Sequence, residues 1–398
     1  MKSVINMAKV IVSLTSYPDR IQTVYKVIES LFAQNRKADE IVLWLSTQEF
    51  VEKEACLPEN LKKLIGVSGF RVEWVYDNLK SHKKYFYILQ DNKEDVIITV
   101  DDDVYYEENM IRTLVDSWHK HPCAVSARHV HLIFRDGSKV ADYDSWESDI
   151  EEYIGMERMD LCAVGVSGIL YPPGCGSERW FDKETIETIA ANQDDLWLKY
   201  NEMADGIPVV YTGTDDRDIV IEESQASALY LKNAYGGDND ICIQQLVRRI
   251  RENHAEVYCE WLSELRQIRD SLAAKREYYN SEVEKLFTLY GKLDFYICGA
   301  GKYARILMEF LKTCGKENYV KAFLVSGNAQ HETVVDHVHV KRISGLREQQ
   351  PYVVICGVAE KHKAGLKKLV EKDVLCQWVE VDLLGIVRLI QLEEKYTN

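Results

Sequence analysis

The alternation of β-rich runs with helix-like stretches over the first hundred residues is the feature that most constrains this fold. Short runs rich in β-branched residues, among them "KVIVSLT", "EIVLWLS", "FRVEWVY" and "DVIITV", are separated by stretches with helical periodicity. Parallel strands need long crossover connections, which the intervening helices supply. We therefore predict an α/β fold with a mixed, mostly parallel sheet that helices cover on both faces.

The 398 residues exceed the size at which one hydrophobic core stops growing, so we expect more than one domain. The first would span residues 1–250. Within it, strands are expected in "CAVSARHVHLIF", "CAVGVSGILYP" and "IPVVYTG", with a helix from about Asp194 to Met203, and the stretch 215–246 closes the domain.

Residues 251–290 contain no proline or glycine and carry many charges. Apolar side chains recur there at helical spacing, at Trp261, Leu265, Ile268 and Leu272. We predict one or two amphipathic helices that link two domains. A packed linker is favoured over a coiled-coil homodimer, because the apolar seam barely lasts three heptads. A homodimer stays open.

Residues 291–398 form a third segment with the pattern of a small Rossmann-like domain. The stretch "LDFYICGAGKYARILMEFL" places an apolar strand before a glycine turn and a helix, which is the context of a dinucleotide fingerprint. Gly299, Gly301 and Lys302 are the candidate nucleotide-binding residues. The acid that would bind the ribose of NAD is replaced by Ser326, so another nucleotide or a structural role stays open.

Charge and hydropathy exclude several classes of function. Acidic residues outnumber basic residues 64 to 49, which disfavours nucleic acid as a partner. No apolar run approaches the ~20 residues of a membrane span. The apolar N-terminus is interrupted by Lys9 and is read as the first strand, not as a signal peptide. Ten scattered cysteines without a C-x-x-C pair are typical of reduced thiols. We expect a soluble cytoplasmic protein, with peripheral attachment to the inner face of the membrane left open.

Three consecutive aspartates, Asp101, Asp102 and Asp103, follow the apolar run "VIITV". Ligands of parallel sheets collect at the carboxyl ends of strands, so this position favours function over a solvated turn. Mg²⁺ and Mn²⁺ bind one or two carboxylates and complete their coordination with substrate phosphates. The pair Asp101 and Asp103 is therefore a candidate site for Mg²⁺ or Mn²⁺ with a diphosphate.

Five motifs together resemble bacterial glycosyltransferases of the GT-A type, over roughly the first 250 residues. They are "VSLTSYPDRI", "LKSHKKYFY", "TVDDDVYY", "GVSGILYPP" and "DDLWLKY". The resemblance implies transfer of a sugar from a nucleotide-diphospho-sugar to a hydroxyl of a glycan or lipid-linked acceptor, in cell-surface polysaccharide synthesis, with inversion at the anomeric carbon.

The resemblance also assigns residues on the donor side. Asp103 would ligate the metal directly, and Asp101 and Asp102 would contact ribose or ordered water. The residues implied near the nucleotide are Thr15, Ser16, Tyr17, Arg20 and Asp77. Lys80 and Lys84 precede the metal strand and are candidates for a phosphate contact, although for either one alone an exposed helix cation is the favoured explanation.

On the acceptor side, enzymes of this type place a carboxylate at the position of Asp194 and Asp195 as the catalytic base. We expect Asp195 to be the base and Asp194 to cap the helix that starts there. His129 and His131 alternate along a strand and so face one side, where they are candidates for contact with the sugar or the diphosphate. Gly165, Ser167 and Gly168 would let the backbone approach the sugar closely.

Two other functions are compatible with the sequence. An Asp-x-Asp pair after a strand is also typical of haloacid-dehalogenase-like phosphatases, in which Asp101 would attack phosphorus and Asp103 would act as the acid. Against this, several strand-helix units precede the motif, and Val104 replaces the expected threonine. A non-catalytic scaffold that binds nucleotide-sugar is disfavoured because the metal and base candidates are all present.

Overall fold

The computed structural model describes residues 8–213, 219–223, 237–326, 334–346 and 348–397. The chain divides into two compact units, Met1–Arg266 and Gln267–Asn398. The predicted linker, 251–290, is helical apart from short breaks, and the border between the units falls inside it. The stretch that was expected to close the first domain lies partly outside the described residues.

The first unit contains both helices and strands. Its helices are α1 (Val24–Phe32), α2 (Glu59–Ile65), α3 (Lys83–Phe86), α4 (Ile88–Asp91), α5 (Met110–Lys120), α6 (Lys183–Ile189), α7 (Asp194–Asp205), α8 (Asp238–Asn253) and α9 (Ala255–Glu264). Its strands are β1 (Val10–Thr15), β2 (Glu40–Ser46), β3 (Phe70–Val75), β4 (Val96–Thr99), β5 (Val104–Tyr105), β6 (Val125–Ala127), β7 (Val130–Leu132), β8 (Phe134–Asp136), β9 (Lys139–Val140), β10 (Glu147–Ser148), β11 (Glu157–Arg158), β12 (Leu161–Ala163), β13 (Ile169–Tyr171), β14 (Val209–Tyr211) and β15 (Ile219–Val220), with β16 (Arg266–Gln267) at the border of the units.

An eight-stranded sheet in the order β11-β14-β6-β13-β4-β1-β2-β3 forms the centre of the first unit. Strands β4, β1, β2 and β3 are parallel neighbours, and β13 runs antiparallel between β4 and β6. The prediction of a mixed, mostly parallel α/β sheet is confirmed. Because β1, β3 and β4 run in the same direction, the segments that follow Thr15, Val75 and Thr99 meet at one edge of the sheet.

The hydrophobic core of this unit lies between the parallel strands and helices α1 and α5. Val24, Val27, Ile28 and Leu31 of α1 are buried and share one helical face, as the spacing of three and four residues predicts. Strands β1, β2 and β4 alternate little between apolar and polar residues because both of their faces are covered, whereas the edge strand β3 alternates and is only partly buried. This packing fixes the strand ends that carry the acidic motif.

The long apolar stretch 123–134 does not form one strand, and the prediction of a single strand there is wrong. It is divided into β6, β7 and β8, which belong to three different sheets. Strand β6 is in the central sheet, whereas β7 pairs with β10 and β12 in a three-stranded sheet. Arg128 and His129 occupy the break between β6 and β7. The chain changes direction there, which apolar periodicity alone does not reveal.

The second unit has a six-stranded sheet in the order β19-β20-β18-β17-β21-β22. All its neighbouring strands are parallel except the β19–β20 pair. The strands are β17 (Asp294–Cys298), β18 (Val320–Val325), β19 (Val334–Val335), β20 (Val338–Arg342), β21 (Tyr352–Cys356) and β22 (Cys376–Val379). The helices are α10 (Ile268–Tyr290), α11 (Lys302–Thr313), α12 (Glu360–Val370) and α13 (Leu383–Tyr396). The strand order reverses between β17 and β21, as in dinucleotide-binding folds.

The structure can be compared with the sequence-based expectations about the cysteines and about membrane-spanning segments. All ten cysteines are free thiols. No helix in the described ranges is both long and apolar enough to cross a bilayer.

Candidate functional site

The three aspartates lie at the carboxyl edge of the central sheet, directly after β4. Val100 N–H donates to Ser13 O, so the segment leaving β4 stays attached to β1 as it approaches the loop. Asp102 is buried, whereas the side chains of Asp101 and Asp103 are 31% and 16% exposed. Two of the three carboxylates therefore remain reachable from solvent.

Arg20, from the loop after β1, pairs with two of these aspartates. Its Nη1 lies 2.8 Å from Asp102 Oδ1 and 2.9 Å from Asp103 Oδ2. The Ser16 hydroxyl donates to Asp102 Oδ2 at 2.6 Å. Burial alone lowers the pKa of Arg20, but Asp102 and Asp103 outweigh it and raise that pKa above its ordinary value. Burial also raises the pKa of Asp102, against the opposing effects of Arg20 and Ser16.

These contacts involve two of the residues predicted to lie near the nucleotide. Both oxygens of Asp102 are engaged by Arg20 and Ser16 in the protein interior, and its contact with the ribose stays a prediction. The Ser16 side chain is buried in the same contact and is not presented to a ligand.

Lys84, in the short helix α3, lies between two carboxylates. Its Nζ is 2.7 Å from Asp101 Oδ1 and 2.8 Å from Asp194 Oδ2, and its side chain is 4% exposed. Burial lowers the pKa of Lys84, yet the surrounding aspartates outweigh burial and raise it well above its ordinary value. Lys84 thus forms a buried ionic bridge between two carboxylates, and its contact with a substrate phosphate stays a prediction.

The adjacent carboxylates of Asp194 and Asp195, at the start of α7, have different surroundings. Burial raises the pKa of Asp194, but Lys84 and His82 more than offset that effect, so the pKa lies below its usual range. Burial and repulsion by Asp194 raise the pKa of Asp195 well above its usual range. The N-cap residue is Gln193, so the prediction that Asp194 caps the helix is wrong; its carboxylate pairs with Lys84 instead.

The loop 165–168 closes the site between these acids. Gly165 N–H lies 3.2 Å from each carboxylate oxygen of Asp195. A Cβ at Gly165 would lie 2.7 Å from Lys84 Nζ, 3.3 Å from Asp195 Oδ1 and 3.4 Å from Asp101 Oδ1. A larger residue at 165 would therefore displace the Lys84 ammonium, because the three charged groups converge on this point of the backbone.

Tyr106 joins this loop to the aspartate loop, and sequence reasoning assigned it no role. Asp101 N–H donates to its hydroxyl at 2.8 Å, and the hydroxyl donates to Val166 O at 3.1 Å. Its position close to the aspartates in "DDDVYY" is the sequence feature that could have indicated a role in the site. Arg128, also missed, is buried and contacts Glu107 Oε1 at 3.1 Å and Ser167 O at 3.3 Å.

The remaining glycine of the loop serves packing. Gly168 has a φ of +96°, and a Cβ there would lie 3.3 Å from Met110 Sδ. Ser167 contributes its carbonyl oxygen to the contact with Arg128. Ser167 and Gly168 therefore contribute to the packing of the loop 165–168.

Other predicted donor-side residues surround the same edge of the sheet. Thr15 Oγ1 donates to Trp44 O at 2.8 Å, and Tyr17 packs with its ring centroid 5.7 Å from the Arg20 guanidinium. Lys80 is exposed and donates to Asn192 Oδ1 at 2.8 Å. Its φ of +51° is unusual for a residue other than glycine. Of the two candidate lysines, Lys80 is the one that a phosphate can reach.

Asp77 follows β3 at this edge and is partly exposed. Its carboxylate accepts from Lys183 Nζ and from the Tyr87 hydroxyl. The Tyr87 ring stacks on Trp44, with centroids 5.2 Å apart. Burial and the nearby Asp77 carboxylate raise the pKa of Tyr87, so the hydroxyl stays a donor. Asp77 thus contacts Lys183 and Tyr87, and Tyr87 in turn stacks on Trp44.

His129 and His131 face the same side, as alternation along a strand predicts, with ring centroids 5.1 Å apart. They lie beside the three-stranded sheet and not on the central one. His129 Nδ1 is 2.6 Å from Asp149 Oδ2, and the His131 ring contacts Tyr143. Tyr143 is close enough to Asp195 for that carboxylate to raise its pKa, in addition to the larger effect of burial.

The carboxylate oxygens of Asp101 and Asp103 are suitable ligands for a hard divalent cation, and substrate oxygens would complete its coordination. Among the described residues, no group of three or more His, Cys, Asp or Glu side chains is arranged to hold a metal ion by itself. One or two carboxylates from Asp101 and Asp103, completed by phosphate oxygens, match the way Mg²⁺ is usually bound. Such a cation would compete with Arg20 and Lys84 for the two aspartates.

The glycine turn of the second unit has the expected backbone geometry. Gly299 has a φ of +103°, and a Cβ there would lie 2.7 Å from Val358 Cγ1. Gly301 is the N-cap of α11, followed by the exposed Lys302. A cavity of about 460 Å³ opens at the carboxyl edge of this sheet and is lined by Ser326, Val358, Lys361, His362, Gly365, Leu366 and Leu369.

Comparison with known proteins gives no family. No protein-family model matches the sequence, and no curated protein matches it. A UTP-bound UGPase from Acinetobacter baumannii is similar in structure, with a TM-score of 0.33 and 12% identity, over 64% of this chain and 97% of that chain. UDP-glucose pyrophosphorylase from the same organism gives a TM-score of 0.33 and 10% identity over the same shares. A likeness at this level does not indicate an activity for this chain.

Proposed function

We propose that the first unit is a divalent-cation-dependent glycosyltransferase that moves a sugar from a nucleotide-diphospho-sugar to a hydroxyl acceptor. The observation that carries the proposal is an excess of carboxylates at the carboxyl edge of the sheet. Asp101, Asp102, Asp103 and Asp194 pair, within the described residues, with the two cations Arg20 and Lys84. In these ion pairs four carboxylates share two cations, so acidic groups predominate at this edge.

This excess charge would repel a diphosphate that entered alone. A divalent cation held by Asp103 and Asp101 would cancel the repulsion and supply charge stabilisation to the departing nucleoside diphosphate. The exposed Lys80 lies at the same edge and supports a phosphate contact. Asp77, with the Tyr87–Trp44 stack beside it, supports a nucleotide position after β3.

Asp195 is the proposed base. Its carboxylate accepts a hydrogen bond from Gly165 N–H and lies close to Asp101. Burial and the neighbouring Asp194 raise its pKa, which makes the deprotonated carboxylate a stronger base. In the reaction the acceptor oxygen forms a bond to the anomeric carbon, and the bond from that carbon to the diphosphate oxygen breaks. The acceptor proton passes to Asp195. Attack from the side opposite the diphosphate gives inversion, which is the expected outcome for a base placed here.

The proposed acceptor is a glycan or lipid-linked hydroxyl, as expected from the sequence. The supporting feature is Tyr143, which is near Asp195 and packs against the His131 ring. Aromatic faces of this kind suit packing against sugar rings. The second unit is proposed to bind a nucleotide or other small ligand, with NAD one candidate, at the Gly299 turn.

Thermal stabilisation tests the proposal directly. UDP-glucose, UDP-N-acetylglucosamine and GDP-mannose are each added with and without Mn²⁺, because a ligand at 100 times its Kd stabilises the folded protein by about 2.7 kcal/mol. We expect stabilisation by at least one donor that depends on Mn²⁺ and is lost in Asp103→Asn. Asp116→Asn, an exposed carboxylate on α5, is the matched control and should behave as the wild type. Stabilisation by phosphomonoesters alone would instead favour a phosphatase that uses Asp101.

A further inference from the structure

Lys84 connects the two acidic halves of the site. The carboxylates that its ammonium contacts belong to separate elements, Asp101 to the loop after β4 and Asp194 to the first turn of α7. Asp195, the proposed base, is the next residue of that turn. One buried cation therefore bridges the helix that carries the proposed base and the loop that carries the proposed metal ligand.

The lysine itself is held in place by the parallel strands. Ser13 Oγ donates to Lys84 O at 2.5 Å, and Trp44 Nε1 donates to the same Ser13 hydroxyl at 3.0 Å. On the other side, Gly165 packs so closely that a Cβ would lie 2.7 Å from the ammonium. Strands β1 and β2 thus fix the backbone of Lys84, and Asp101, Asp194 and the loop 165–168 surround its ammonium.

We propose that Lys84 is a positioning residue, which sets the separation between Asp101 and Asp195 by holding Asp194. The proposal rests on the proposed function, since it assigns Asp101 to the donor side and Asp195 to the acceptor. Its physical reason is that a misplacement of ~1 Å between reacting groups costs about 100-fold in rate. Neutralising buried acids is the competing role, and it makes different predictions.

The test compares Lys84→Met with Lys83→Met. Lys83 is the preceding residue of α3 and is also buried, but its ion pair is with Glu49 Oε2 at 3.0 Å, and the electrostatic effect of Asp102 on it is smaller than that of Glu49. The measured quantity is Mn²⁺-dependent release of nucleoside diphosphate from the three donors above, with water as acceptor. We expect Lys84→Met to lower kcat about 100-fold with KM changed less than about 3-fold. Lys83→Met should lose stability but keep kcat within about 3-fold.

The double variant Lys84→Met/Asp194→Asn separates positioning from charge balance. It removes a cation together with one of the anions it neutralises, so folding stability should largely return. A positioning role predicts that kcat stays low in the double variant and that Lys84→Arg recovers part of it. If kcat in the double variant returns to the wild-type value, Lys84 only balances charge and the proposal is wrong.

A crystal structure of the double variant decides the question without an assay. We expect the Asp195 carboxylate to leave its position 3.2 Å from Gly165 N and to shift relative to Asp101. An unchanged arrangement would overturn the positioning role. If the wild type releases nucleotide from none of the donors, the proposed function is wrong, whereas the crystal structure still tests what Lys84 positions.

Discussion

Replacing Arg20 by methionine should destabilise the first unit by about 3–5 kcal/mol, the usual cost of breaking a buried ion pair from one side. Arg20 and Asp102 side chains are 9% and 7% exposed, and Nη1 lies 2.8 Å from Asp102 Oδ1. Exposed pairs contribute only ~0–1 kcal/mol because water screens them. That lower figure does not apply to a pair excluded from solvent, and the Ser16 hydroxyl alone would remain to stabilise the Asp102 carboxylate.

Urea unfolding followed by tryptophan fluorescence measures this effect. All tryptophans except Trp378 lie in residues 1–266, so the signal reports the first unit. Arg248→Met removes an exposed arginine that pairs with Glu252 and should leave the midpoint nearly unchanged. Arg20→Met/Asp102→Asn should recover most of the lost stability. A loss under about 1 kcal/mol in Arg20→Met, or no recovery in the double variant, would refute the reasoning.

Three further predictions follow from single contacts. Burial raises the pKa of Glu202 to about 7 from 4.5, so Glu202 makes wild-type stability fall as pH rises between those values. Glu202→Gln should make that slope shallower in urea midpoints measured at pH 4.5 to 8, and an unchanged slope would contradict this. Gly165→Ala should destabilise the fold by about 1–3 kcal/mol and lower donor turnover, because its Cβ would press on Lys84; normal turnover would contradict this. Tyr106→Phe should cost about 1–3 kcal/mol, since Asp101 N–H loses its acceptor, and an unchanged unfolding midpoint would contradict it.

The parallel half of the central sheet was predictable because its signal is local. Glu40–Ser46 has the predicted bounds, and Val10–Thr15 differs from its prediction by one residue. Each run is buried on both faces, and each is followed by a helix that returns the chain. The position of Asp101 at a carboxyl edge follows from the same pattern. The division of 123–134 among three sheets did not, since it depends on pairing partners far along the chain.

The ion pairs of the site were the least predictable part. Lys84 and Asp194 are 110 positions apart, and no local periodicity indicates that they meet. Asp194 has the residue type and the position expected of a helix cap. Its carboxylate nevertheless pairs with the buried ammonium of Lys84, and Gln193 is the N-cap residue. Asp102 belongs to a conspicuous acidic motif, yet it is the member that packs inward against Arg20. A motif thus indicated the location of the site but not the role of each member.

Diffraction at the manganese absorption edge tests the central claim most directly. Crystals grown with Mn²⁺ and a nucleotide-diphospho-sugar that stabilises the protein should show an anomalous peak beside Asp103, within coordination distance of a diphosphate oxygen. Nucleotide bound at this edge of the sheet without a peak near Asp103, or a peak only elsewhere in the protein, would contradict the account.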